Sequence, residues 1–288
     1  FRLPRGGGRP AVDRRHAVAG TFERARQILA HHLIVLGQQN PVHASLSYER
    51  PRLWANPCRF SSALLRIAAG PSIQSVTAPP LPFDLHGPAD PVTPLVLSVP
   101  HAGRAYPEEM QDLLRVPVAA LLPLEDRLVD QVALAARGPH TLFVAKLPRA
   151  WIDLNRSEQE RDPQVDAGAD PMVQPRASAR LRSGLGLIPR RASSAGDIWK
   201  RRLHADEVPA RIMAHHRPYH AAVAAALASA HARFGVAILL DIHSMPSLPG
   251  VTPAQVVLGD RHGRSAARRL VDTLEAAARD AGLLVTRN

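Results

Sequence analysis

PLVLSVPHAG, residues 94–103, is the stretch on which the fold turns. Its apolar run is stopped by Pro100 and then Gly103, the pattern of a buried strand running into a loop. TLFVAKL (Thr141–Leu147), GVAILLDIHS (Gly235–Ser244), QVVLGD (Gln255–Asp260) and LLVTRN (Leu283–Asn288) repeat it. Helical patterns lie between these runs. Apolar residues recur at helical spacing from Val116 to Ala136, and residues 205–233 are Ala-rich with a break expected at Pro218. Ser265–Asp280 reads as a further helix, and Ser157–Ser194 as a long Arg/Asp/Gly/Pro-rich excursion. Strands alternating with helices predict an α/β fold, with a mixed, mainly parallel central sheet flanked by helices. Functional groups in such sheets gather at the carboxyl ends of the strands. Here those ends carry His101, Arg149, Asp153, Asp241, His243 and Asp260.

At 288 residues, 45% hydrophobic and 21% charged, the chain is long enough to bury a substantial core. Its single cysteine, Cys58, excludes an intrachain disulfide and a cysteine-rich zinc site. No run approaches the length of a transmembrane helix, so no membrane partner is expected and the cytoplasm is favoured. The formal charge of +11 is uneven: residues 1–80 hold 11 Arg against 3 acids, or +8, and residues 81–288 hold 25 bases against 22 acids, or +3. Without clustered aromatics or a docking motif, this basicity does not predict nucleic-acid binding. Residues 1–80 read as a disordered basic extension or as translation upstream of the true start, with a short helix at Ile28–Leu36. Residues 81–91 read as a linker and residues 92–288 as the folded domain.

Two histidines stand just past, or at the end of, buried strands: His101 in VLSVPHAG and His243 in ILLDIHSMPS. Neutral imidazole is the commonest biological metal ligand, and a strand end holds it rigidly. A catalytic zinc site takes three protein ligands and leaves a position for water. EDRLVD offers Glu125, Asp126 and Asp130 as a third ligand, although all three also fit a solvated helix face. RAWIDLNR (Arg149–Arg156) sets arginines around Asp153 and Asn155, which suits a carboxylate-bearing substrate or, equally, a structural ion pair. SGLGLIPR (Ser183–Arg190) lacks the Lys-Ser/Thr ending of a phosphate loop. No G-x-S-x-G elbow precedes Ser244.

Seven ordered stretches, SVPHAGRAYP, EDRLVD, RAWIDLNR, SGLGLIPR, RPYH, DIHSMPS and LGDRHG, resemble the N-formylglutamate amidohydrolase family across residues 92–288. That family is similar to the zinc carboxypeptidases and aspartoacylases. The resemblance implies one zinc ion per chain on His101, His243 and an acid from EDRLVD, with Asp126 placed ahead of Glu125. The residue three after the first histidine, an acidic ligand in carboxypeptidases, is Arg104 here. The resemblance further implies that Asn155 and Arg156 grip the α-carboxylate of a small dicarboxylate substrate and that Arg149 polarises the scissile carbonyl. The implied reaction is hydrolysis of N-formyl-L-glutamate to formate and L-glutamate, within histidine degradation. Another N-acyl amino acid as substrate, and an inactive member of the family, are the alternatives. The family's general-base glutamate follows the strand that begins at LLVTRN, beyond Asn288. The fold is therefore expected to be C-terminally incomplete and the activity weak or absent. The sequence sets no oligomeric state.

Overall fold

The computed structural model describes residues 80–170, 172, 179–192 and 196–288, together with the backbone of residues 32–37. All elements below belong to the one of two contact units that spans Phe1–Gln39 and Leu81–Asn288. The sheet is built from β1 (His32–Gly37), β2 (Phe83–His86), β3 (Leu95–Val99), β4 (Thr141–Ala145), β5 (Ile238–Ser244), β6 (Val256–Gly259) and β7 (Val285–Arg287). Their order is β2-β4-β3-β5-β1-β6-β7. The α-helices among the described residues are α1 (Glu108–Leu113), α2 (Val129–Ala136), α3 (Ala179–Arg182), α4 (Glu207–Arg211), α5 (Arg217–Phe234) and α6 (Arg268–Asp280). The β3–β4, β3–β5, β1–β6 and β6–β7 pairs are parallel, while β2–β4 and β1–β5 are antiparallel. This is the mixed, mainly parallel sheet that the apolar runs predict.

Side-chain alternation sorts the core into two faces. On β3 and β4, Val96, Phe143 and Ala145 face the helix α5 (Arg217–Phe234). That helix buries Tyr219, Val223, Ala226, Leu227 and Ala230 at helical spacing. It ends where Gly235 takes φ 71°, a left-handed conformation that costs glycine little. Leu97, Val99, Leu142 and Val144 face the opposite helix α2 (Val129–Ala136), meeting Val129 and Ala133. Helix α6 (Arg268–Asp280) packs Val271 against Val256 and Leu258.

Four local expectations are corrected. Phe83–His86, within the segment read as a linker, is an edge strand whose Phe83 is buried in the core. His32–Gly37, overlapping the run Ile28–Leu36 read as a helix, is a strand paired with β5 and β6. The rest of residues 1–79, read as a disordered extension, lies outside the described residues. The pattern from Val116 to Ala136 is not one helix. A 3₁₀ turn, Val118–Leu124, contains Pro123, and Leu128 takes φ 68° before α2 begins. Proline cannot supply the helical N–H, and a left-handed residue reverses the chain direction. Pro218 does not end the helical run, which continues from Glu207 to Phe234; instead the α-pattern gives way to the π-helical turn Ile212–His216 just before the proline, whose missing N–H leaves no α-type bond to the residue four before it.

The described residues of the excursion after Ser157 carry little regular structure, yet Asp162 and Asp166 within it are buried. Arg161 grips Asp166 at 2.5 and 3.0 Å, and Arg190 links Asp162 at 3.1 Å to Asp197 at 2.7 Å.

Candidate active site

Three segments converge at the carboxyl ends of β3 and β5. The chain leaves β3 through Pro100 and presents His101. Gly103 then passes so close to the neighbouring loop that a Cβ there would stand 2.0 Å from the Leu147 carbonyl oxygen. Ala105 N–H fastens this approach by donating to Lys146 O at 2.9 Å. The break before α2 brings Asp126 beside His101, its N–H donating to the His101 carbonyl at 3.0 Å. His243 enters from the end of β5.

The carboxylate of Asp126 lies 2.9 Å from His243 Nδ1 and 3.5 Å from His101 Nδ1. The imidazole centroids are 4.7 Å apart. One donor atom from each of His101, Asp126 and His243 falls within 4.8 Å of the others, and all three residues are buried. Both histidines turn Nδ1 inward, and a second carboxylate holds each Nε2. Asp153 Oδ1 is 2.7 Å from His101 Nε2, and Asp241 Oδ2 is 2.9 Å from His243 Nε2. Carboxylates on the remote nitrogens of metal-binding histidines fix tautomer and ring orientation. Two imidazoles and one carboxylate, buried and preoriented, make a donor set able to hold one metal ion. The structure is thus compatible with one metal ion on the three residues expected from sequence.

The charges reinforce one another. Burial would push Asp126 up, but hydrogen bonds and positive charge from His101 and His243 outweigh it and hold the carboxyl well below the usual carboxylate range. Asp153 is wholly buried, which raises it, yet His101 and Arg149 drive it far down. Burial lowers His243, but Asp241 and Asp126 on either side win, and it is pushed up to about 10.

The other candidates separate. Glu125 is taken by the Tyr106 hydroxyl and by Arg127 at 3.4 Å, and Asp130 pairs with Arg104 at 2.5 Å. Arg149 donates Nε to Asp153 at 2.8 Å. Asn155 is exposed, its side-chain amide 3.1 Å from His243 Nε2. Arg156 is buried, with Nε on Leu185 O at 3.1 Å and Nη1 on Asn155 O at 2.5 Å. Asp260 stays in its own turn, accepting from Gly263 N–H at 2.8 Å. Sequence reasoning left the roles of Asp153 and Asp241 unassigned, though Asp-x-His in a strand puts both side chains on one face. It also left open His216 and His220, whose Nε2 atoms hold the carbonyls of Arg156 and Leu154 at 2.8 and 2.9 Å and so brace the Asp153–Arg156 loop.

The family model for N-formylglutamate amidohydrolase matches residues 93–288. The chain belongs to the N-formylglutamate amidohydrolase family. The N-formylglutamate deformylase of Pseudomonas putida is 32% identical over 155 residues, covering 54% of this chain and 52% of that protein. The chain therefore spans about half the length of this curated relative. The crystal structure of N-formylglutamate amidohydrolase from Ralstonia eutropha JMP134 is 36% identical, with a TM-score of 0.65 over 72% of this chain and 76% of that one. The stretch matched by the N-formylglutamate amidohydrolase family contains all three candidate ligands and both carboxylates behind them. Among the described residues, no helix is long and apolar enough to cross a membrane.

Proposed function

We propose that this chain binds one zinc ion on His101, Asp126 and His243 and hydrolyses N-formyl-L-glutamate to formate and L-glutamate. The observation that carries the reading is the convergence of three buried donors, with both histidines held from behind by carboxylates. The names of the relatives supply the substrate. When bound, zinc supplies a Lewis acid and a water whose pKa falls to about 7. The protein's own groups bind and orient. Arg149 spends Nε on Asp153, and its other guanidinium donors serve the formyl oxygen as charge develops there. Asn155 offers its exposed amide to a substrate carboxylate, and buried Arg156 adds positive charge while holding the Asn155 carbonyl. Hydrolysis adds water across the formyl C–N bond, and the leaving amine takes the proton. The products suit histidine breakdown in the cytoplasm.

Zinc content and formate release, measured on the purified chain, test this. The expected result is stoichiometric zinc, lost in His101→Ala and His243→Ala, with formate released from N-formylglutamate. A folded chain that takes up no zinc would falsify the metal reading. Zinc uptake with turnover of N-acetylglutamate alone would move the substrate to another N-acyl amino acid.

A further inference from the structure

Behind His243, on the side away from Asp126, a line of buried polar groups runs into the core. Asp241 Oδ1 accepts from Ser98 Oγ at 2.6 Å, and Ser98 Oγ lies 2.8 Å from the hydroxyl of Tyr219. Ser98 and Tyr219 are buried. The sheet explains the meeting. Ser98 and Asp241 are register partners in the parallel β3–β5 pair, and Ser98 alternates with Leu97 and Val99 so as to face α5. Tyr219 is the first buried residue of that helix. Its ring is wedged edge-on against Phe83 at 5.8 Å and Phe143 at 6.4 Å.

The direction of every proton in this line follows from one fact: an ionised carboxylate only accepts. Ser98 must therefore donate to Asp241. Its own proton being spent, Ser98 accepts from Tyr219. The other oxygen of Asp241 accepts from His243 Nε2, so it is Nδ1, facing Asp126, that gives up its proton to a metal. Burial and the charge of Asp241 push the Tyr219 phenol far up, so it keeps the proton it donates.

We propose that Tyr219 and Ser98 are positioning residues that set the tautomer and orientation of His243 through Asp241, and so tune how tightly the centre holds its metal. This rests on the zinc reading given above. The two histidines are thereby held differently. Behind His101, Asp153 is held by the Arg149 guanidinium and the Asn155 N–H. Behind His243, Asp241 is held by a neutral hydroxyl chain reaching back to the edge strand β2.

The test is zinc affinity of the full chain by chelator competition, for wild type, Tyr219→Phe, Ser98→Ala and the double variant. Histidine-15N NMR of the zinc-loaded proteins is run alongside. Losing a partner behind a ligand typically weakens metal binding about 10- to 100-fold, and Tyr219→Phe, one step further back, should sit near the lower end. Because the groups act in series, the double variant should bind no more weakly than Ser98→Ala alone. The His243 Nε2–H resonance should shift in both single variants while that of His101 stays. Multiplying losses, an unmoved Nε2–H signal, or unchanged affinity in folded Tyr219→Phe and Ser98→Ala would each overturn the proposal while leaving the metal site standing. Absence of zinc binding in wild type would remove both.

Discussion

Asp153 accepts from His101 Nε2 at 2.7 Å and is itself wholly buried. The other oxygen of the same carboxylate takes Arg149 Nε at 2.8 Å. Asp153→Ala would leave the Arg149 guanidinium without its partner and the His101 imidazole, a proposed metal ligand, without its anchor. Breaking such a buried pair costs roughly 3–5 kcal/mol. Urea denaturation should show a loss of that size, and chelator competition a zinc affinity about 10- to 100-fold weaker. Asp153→Asn, which keeps an acceptor but no charge, should fall between the variant and wild type.

The choice among three neighbouring acids is open to direct test. Asp126 faces both imidazoles, whereas Glu125 is committed to Tyr106 and Arg127, and Asp130 to Arg104. Asp126→Asn should abolish stoichiometric zinc binding, while Glu125→Gln and Asp130→Asn retain it. Zinc analysis after gel filtration distinguishes the three.

His243 gives the metal-free protein a signature in pH. Flanked by Asp241 and Asp126, it is pushed up to about 10, so the folded chain binds the proton more tightly than the unfolded one. A raised folded value stabilises fully below the ordinary histidine value of about 6.5. That contribution is then lost as pH climbs through about 10. Denaturation midpoints of the metal-free chain should decline across this window, and His243→Ala should flatten the decline. Zinc bound as proposed would displace the same proton, so titration calorimetry near neutral pH in buffers of different ionisation enthalpy should detect its release.

Gly103 tests the route by which His101 is delivered. Any Cβ would meet the Leu147 carbonyl at 2.0 Å. Backbone cannot yield as a side-chain tip does, so Gly103→Ala should cost about 1–3 kcal/mol in overpacking and shift His101. Thermal melts and zinc affinity should fall together.

Strands that are apolar runs punctuated by Pro or Gly could be read directly, from Leu95–Val99 to Val285–Arg287. Phe83–His86 could not, because a four-residue edge strand with two exposed positions carries too little apolar pattern. The run around Ile28–Leu36 is too short for periodicity to separate helix from strand. His101 and His243 could be singled out because they stand at strand ends, and the structure brings them together. Which acid faces them could not be, since the chain reversal at Leu128 that detaches Asp126 from α2 leaves no mark in residue spacing. Ser98, Asp241 and Tyr219 meet only through the pairing of β3 with β5, which no local pattern reveals.

Both imidazoles offer the centre Nδ1, the ring nitrogen nearer the main chain. The lever between backbone and donor is therefore short, and the spacing of β3 and β5 acts as the ruler of the site. Asparagine ends at about the reach of Nδ1 and glutamine at about that of Nε2. At either position Asn would keep a ligating atom in place, whereas Gln would extend past the centre into Asp153 or Asp241. Of the two amide replacements, the shorter is the one that belongs here.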